Sequence, residues 1–366
     1  MTRRIAETML ERTEVDRRRF TAGAAILGAG LALGGCGRTT IGGGMESGAP
    51  TSLALPPGAF SPLLRGLDNP EGIAACPDGR LFFSNGGGAV AVRETDGRVR
   101  QIGQPLAPNG VAVDPQGRAI IANMGLLKGV SGSLQRVDVA TGIVETLVET
   151  LEGRQLVASN GPAVARDGTI YCTHSSWGPV ANIGTTTAAG FIYKVAPDGT
   201  ATIVARGLRG VNGLCLDREE RFVYASLTAE ARIRRWRRRA DGTLDQPEDH
   251  GPQLGIAIPV QTVREILAMP ATDRAALGYC DGIAFDMAGN LWITLPFSNR
   301  IIALTPQRRV IDIVHDPEGS LIDMPTNLCW GGADRRDLYV VSRRGGRILT
   351  ARTPVAGAPL AHWPAA

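Results

Sequence analysis

Residues Asp281–Thr294 read DGIAFDMAGNLWIT. Two short apolar runs flank the polar turn Met287-Ala288-Gly289-Asn290, the pattern of a β-hairpin. The hairpin opens on Asp281, and a carboxylate at the mouth of a buried strand is costly unless something pairs with it. The same shape recurs along the chain. It starts at Glu71 (EGIAACPDGRLFFS), Asn109 (NGVAVDPQGRAIIA), Asn160 (NGPAVARDGTIYCT), Asn212 (NGLCLD, ahead of RFVYAS), Asp281 and Thr326 (TNLCWGG, ahead of LYVVS). Six copies, spaced roughly 40 to 70 residues apart, indicate a propeller or repeat array.

Each copy supplies an inner strand, a turn and a second strand. A third strand follows at Val90–Arg93, Gly132–Val137, Gly190–Val195, Arg232–Arg237, Arg300–Leu304 and Arg347–Ala351, and shorter fourth strands at Ile143–Val148, Thr202–Ala205 and Val310–Val314. Four antiparallel strands in six copies predict an all-β, six-bladed β-propeller. The last blade lacks a fourth strand of its own, and Phe60–Gly66 can supply it and close the ring. The stretch from Gly251 to Cys280 exceeds what a connection needs. Its Val263–Met269 portion reads as helical, an insertion over one face.

The chain has 366 residues, 47 of them Gly and 23 Pro, and a net charge of +4. Abundant Gly and Pro suit many short strands joined by tight turns. The near-balanced charge implies no acidic partner. Arg232–Arg239 (RIRRWRRR) looks like a nucleic-acid patch. It falls on a third strand whose alternating side chains face water, so no nucleic-acid partner is expected.

Residues 1–36 read as an export signal rather than fold. Arg17-Arg18-Arg19-Phe20 precedes the apolar run Ala22–Gly35, which is too short for a stable span and resembles a twin-arginine leader. Leu33-Gly34-Gly35-Cys36 resembles a lipoprotein cleavage box, making Cys36 the lipidation site. A chance cysteine after the leader is the plainer alternative. The expectation is a tether over 37–55, a propeller over 56–366, and a lipid-anchored protein on the periplasmic side of a membrane. Cys76, Cys172, Cys215, Cys280 and Cys329 remain. Their odd count and core positions argue against a disulfide framework, and no spacing suggests zinc.

Inner strands of a propeller surround a shared channel, and their first residues gather at one end of it. Glu71, Asn109, Asn160, Asn212 and Asp281 occupy that phase. Two carboxylates and three amides then present oxygens to one point, the donor set of a hard cation such as Ca²⁺. Taken singly, Asn-Gly is a common tight-turn dipeptide and Glu71 could cap a loop. Their shared phase, ahead of an apolar strand, favours the metal reading.

These motifs, together with Asn69-Pro-Glu71-Gly-Ile-Ala and Pro325-Thr-Asn-Leu-Cys-Trp-Gly-Gly, resemble the gluconolactonase, senescence marker protein (regucalcin) and luciferin-regenerating enzyme family over residues 60–352. The resemblance implies a divalent-metal site of Glu71, Asn160, Asn212 and Asp281, holding Ca²⁺ or else Zn²⁺, Mn²⁺ or Mg²⁺. It implies hydrolysis of a lactone. Tyr171-Cys-Thr-His174-Ser-Ser-Trp177 stands where relatives often carry Phe-Thr-Asp-Pro, and Asn109 and Trp177 are expected to contact substrate. Asp281 is the candidate base, with direct attack by its carboxylate as a variant. His174 is the alternative base. No G-x-S-x-G motif or phosphate-binding glycine loop is present. A non-catalytic binding propeller, or an esterase or phosphotriesterase on the same centre, is the competing reading.

Overall fold

The computed structural model describes residues 52–86, 88–178, 187–260 and 262–364. The twin-arginine stretch, Cys36 and the tether up to residue 51 lie outside these. The chain forms six four-stranded antiparallel sheets arranged as a six-bladed β-propeller. The inner strands are Ile73–Ala75, Pro108–Val113, Ser159–Val164, Val211–Leu216, Ile283–Phe285 and Pro325–Gly331. The sixth blade takes its outer strand from the start of the domain: Ser61–Leu64 pairs antiparallel with Arg347–Arg352. The ring is thus closed by the segment the sequence nominated.

Burial explains the composition of the strands. Second strands such as Ala119–Asn123 and Leu291–Leu295 are buried at every position. They lie mid-sheet with a neighbouring blade on each face, so they read as continuous apolar runs rather than alternating ones. Outer strands such as Leu244–Asp249 are largely exposed. The hydrophobic clusters lie between blades. Val92, Ile121 and Val137 join blades one and two, and Trp292, Ile301 and Leu328 join blades five and six.

The tether ends sooner than the expected boundary at 55. Leu53 and Leu55 pack on the cluster between blades five and six, and the Leu55 amide donates to Ile313 O at 2.6 Å. Two leucines that gain an apolar surface fix the backbone there. The five cysteines from Cys76 to Cys329 are buried and free. The arginine-rich strand Arg232–Arg238 is laced with ion pairs: Arg234 to Glu230 and Asp249, Arg235 to Glu248, Arg238 to Asp167. Its charge is locally compensated.

The two ends of the channel are built differently. At the turn end the C-terminal segment crosses the opening. The Ala358 amide donates to Phe285 O at 2.9 Å, His362 Nε2 meets Ala75 O at 2.8 Å, and Trp363 packs into the cluster between blades six and one. At the other end lie the inner-strand starts, together with the insertion that joins blades four and five. It contains the helices Val263–Ala268 and Ala271–Ala275. The first opens with a capping box: Glu265 N donates to Thr262 Oγ1 and Thr262 N to Glu265 Oε2. Ile258, Ile266 and Leu277 form a small core there, with Tyr279 and Phe297 against it.

Candidate active site

The five phase-matched residues form two hydrogen-bonded groups, Glu71–Asn109–Asn160 and Asn212–Asp281, linked by the Glu71 charge felt at Asp281. Asn109 Nδ2 donates to Asn160 Oδ1 at 2.8 Å, and Asn160 Nδ2 donates to Ser175 Oγ at 3.0 Å. Asn109 also hydrogen-bonds Glu71, and Asn212 hydrogen-bonds Asp281. All five are buried, Glu71 and Asp281 at 5% exposure each.

The Asn-Gly pairs are not turns. Each lies in a β-bulge: Ser159 and Pro162 pair with His174 and Cys172, Val211 and Leu214 with Leu227 and Ala225, Pro108 and Val111 with Asn123 and Ile121. One extra residue on the inner strand re-aims the asparagine side chain. The glycine answers a second need, since adjacent blades touch backbone to backbone here. A Cβ on Gly161 would sit 2.5 Å from Asn212 O, and one on Gly282 2.6 Å from Thr326 O. Gly72, Gly110 and Gly213 meet the next blade in the same way. Exchanging Gly161 for alanine is therefore expected to destabilise the fold by about 3 kcal/mol, read as a lowered melting temperature. An unchanged melt would show that the blades can separate without cost.

A second set of residues, not singled out from the sequence, holds the ring in place. Thr173 Oγ1 accepts from Gly161 N and donates to Asn212 O; Ser226 Oγ donates to Asp281 O; Thr294 Oγ1 donates to Thr326 O. Ser84 Oγ accepts from the amides of Glu71 and Gly72. Each sits near the end of a second strand, in FFS, YCT, YAS and WIT. That recurrence after an apolar run was the available signal. The second blade has Ala122 at this phase.

Electrostatics sets this ring apart. Burial pushes the Glu71 carboxyl up to about 7, with Arg343 and the Asn109 hydrogen bond pulling the other way. Asp281 is raised well above the usual carboxylate range by burial and then by the Glu71 charge, against Arg343 and Asn212. Glu71 Oε2 is buried with no hydrogen-bond partner. Two like charges held together out of water, with an orphan oxygen, are stable as anions only beside a cation. Two carboxylates among neutral amides form a hard-oxygen donor set that fits a divalent ion. Among the described residues no group of three or more His, Cys, Asp or Glu could hold a metal, so any site here depends on amide oxygens.

His174 lies apart from the ring. It is fully buried, stacks on Phe191 with centroids 4.4 Å apart, and its Nε2 accepts from the amides of Val157 and Ala158 at 3.1 Å each. The accepting nitrogen carries no proton, and Nδ1 has no partner. Burial, then the Arg154 charge, pushes its pKa down to about 3. A lone pair already shared by two backbone amides is not available to a water molecule, which corrects the expectation of His174 as an alternative base. Trp177 packs against His174 and Phe191, with the Arg154 guanidinium 4.1 Å over its ring.

Two further groups reach the ring from elsewhere in the chain. Arg343 follows the second strand of blade six; its backbone N–H donates to Met324 O at 3.0 Å and its Nε to Asn69 Oδ1 at 3.2 Å. Tyr279, at the end of the insertion, has its phenol pKa raised by burial and then by the Asp281 charge. Neither follows the repeat phase, so no periodic signal marked them.

Residues 69–344 match the family model described as the SMP-30/Gluconolactonase/LRE-like region. The chain belongs to this family. Similar proteins include a 6-deoxy-6-sulfogluconolactonase from Pseudomonas putida, 28% identical over 48% of this chain and 50% of its own length. A gluconolactonase from Zymomonas mobilis is 22% identical over 66% of this chain and 63% of its own. The chain thus matches between half and two thirds of the length of these curated relatives. A calcium-binding regucalcin from Agrobacterium tumefaciens superposes with a TM-score of 0.64 at 19% identity, covering 85% of this chain and 99% of that one. That likeness shows the family's fold.

Proposed function

We propose that this member of the SMP-30/gluconolactonase family is a divalent-cation-dependent lactonase, with Glu71, Asn160, Asn212 and Asp281 holding the cation. Ca²⁺ is the first choice, with Mg²⁺, Mn²⁺ and Zn²⁺ as alternatives. The observation that carries the reading is the buried Glu71–Asp281 pair, which makes no ion pair among the described residues and leaves Glu71 Oε2 without a hydrogen-bond partner. Two curated relatives named 6-deoxy-6-sulfogluconolactonase and gluconolactonase support cyclic esters of sugar acids as the substrate class.

Bound there, the cation would supply Lewis acidity for an ester carbonyl and charge for the oxyanion. The protein's own groups do the rest. Asp281 accepts the proton of the attacking water. Asn109, bonded to both Glu71 and Asn160, fixes the orientation of the ring on that side and can meet substrate. Trp177 forms an apolar wall beside the third blade. The segment 1–36 is part of the same proposal, exporting the protein by the twin-arginine route and leaving it lipid-anchored at Cys36.

The test is hydrolysis of a lactone and ester panel by the propeller domain, with Ca²⁺ and with chelator. Turnover of lactones that disappears with chelator is expected. Turnover that survives chelation would overturn cation dependence, and turnover of simple esters alone would move the chain to the esterase reading.

A further inference from the structure

The charges felt at the ring form a short set. The Glu71 charge acts on Asp281, Arg343 acts on both, and Tyr279 responds to all three. Arg343 is held from two sides, by Met324 O through its backbone and by Asn69 Oδ1 through Nε. Asn69 adopts a left-handed conformation (φ 49°), which asparagine tolerates better than most residues. The terminal guanidinium nitrogens make no ion pair among the described residues, whereas the adjacent Arg344 is paired with Asp323 at 3.3 Å.

This arrangement has an electrostatic consequence once a divalent cation neutralises the two carboxylates. Arg343 is then uncompensated, and the loaded site carries a single net positive charge. A half-buried arginine, tied to Asn69 two residues before Glu71 and to Met324 just ahead of the sixth inner strand, with terminal guanidinium donors free of ion pairs among the described residues, binds carboxylate, sulfonate or phosphate oxygens well. A neutral polyol substrate would leave that charge unmatched.

We infer that Arg343 is a specificity-determining residue, binding an anionic group carried by the substrate on the part of the molecule remote from the reacting ester. The substrate class is a lactone with an acidic substituent. This inference rests on the proposed lactonase reading for the reacting end, while the anion contact is a property of Arg343 alone.

The test compares ligands that differ at one end. Gluconate and glucarate differ by one terminal carboxylate, and so do glucono-γ-lactone and glucaro-γ-lactone. Calorimetric titration of the Ca²⁺-loaded protein should show glucarate binding at least about tenfold more tightly than gluconate. Arg343→Gln should abolish that preference, and Arg343→Lys should restore part of it. The lactone pair should show the same preference in KM rather than in kcat. A readout that needs no substrate accompanies these: with the nearby positive charge removed, Ca²⁺ affinity of Arg343→Gln should rise several-fold. A purely structural arginine would lower it.

Equal binding of the two acids, failure to bind either, or a preference that persists in Arg343→Gln overturns the inference. If glucarate preference tracks Arg343 while no lactone is hydrolysed, the anion site stands and the lactonase reading fails. If lactones are hydrolysed without preference, the reverse holds.

Discussion

Exchanging Asp281 for asparagine should cut lactone turnover at least about a hundredfold and, in the same protein, raise the stability of the cation-free form. The two effects share one cause. Asp281 is buried beside Glu71, and burial together with that like charge disfavours its anion. Asparagine keeps the shape and removes the charge. The loss of turnover follows from losing the proton acceptor and one of two charges that hold the cation, a loss of the size seen when one electrostatic partner of a transition state is removed. The gain in stability follows from removing a carboxyl group whose charged form is disfavoured first by burial and then by the Glu71 charge. Thermal melts with chelator, beside turnover with Ca²⁺, read both. A variant that melts lower than the parent in chelator would show that Asp281 is held by a contact other than a cation, and full turnover would remove it from the chemistry.

The second large effect is on pH dependence. Glu71 in the folded protein titrates near 7, above its ordinary value of 4.5, and Asp281 is also raised. The folded, cation-free protein therefore holds more protons than the unfolded chain across this window. Stability then falls as pH rises. It is fully present below the unfolded carboxylate range and is lost progressively from about pH 5 to above pH 7, by about 3 kcal/mol for the Glu71 displacement alone. A bound divalent cation displaces those protons and binds more tightly as pH rises. It adds about 2.7 kcal/mol at a hundredfold excess over Kd. The gap between melting temperatures in Ca²⁺ and in chelator should thus widen from pH 5 to pH 8. Curves that run parallel across that range would mean that the cation does not bind at these carboxylates.

Much of this centre is legible without coordinates. Glu71, Asn109, Asn160, Asn212 and Asp281 share a phase in the repeat, and phase alone puts them on one channel end. The closing strand is legible for the same reason: one blade is short by a strand, and Ser61–Leu64 is a spare. What the residues do to one another is less so. Asn-Gly carries a strong local turn signal, yet here it forms a bulge, because the neighbouring blade's backbone comes too close for any side chain. His174 follows its strand like a mouth residue, but the amides of Val157 and Ala158 claim its lone pair. Leu53 and Leu55 looked like tether and became core because a groove between blades lay within reach.

The number of blades, the phase of their strands and the residues of the oxygen ring are all readable from the amino-acid pattern, because they depend on local motifs repeated along the chain. Ring closure settles the rest: the bulges that re-aim the asparagines, the charges of Arg343 and Asp281 that meet at the ring and at Tyr279, and the C-terminal segment across the opposite end. Those outcomes depend on contacts between residues far apart in the chain and outside the repeat, such as Arg343 with Asn69 and His362 with Ala75. A local pattern carries no record of them, since only closure of the ring brings those partners within reach.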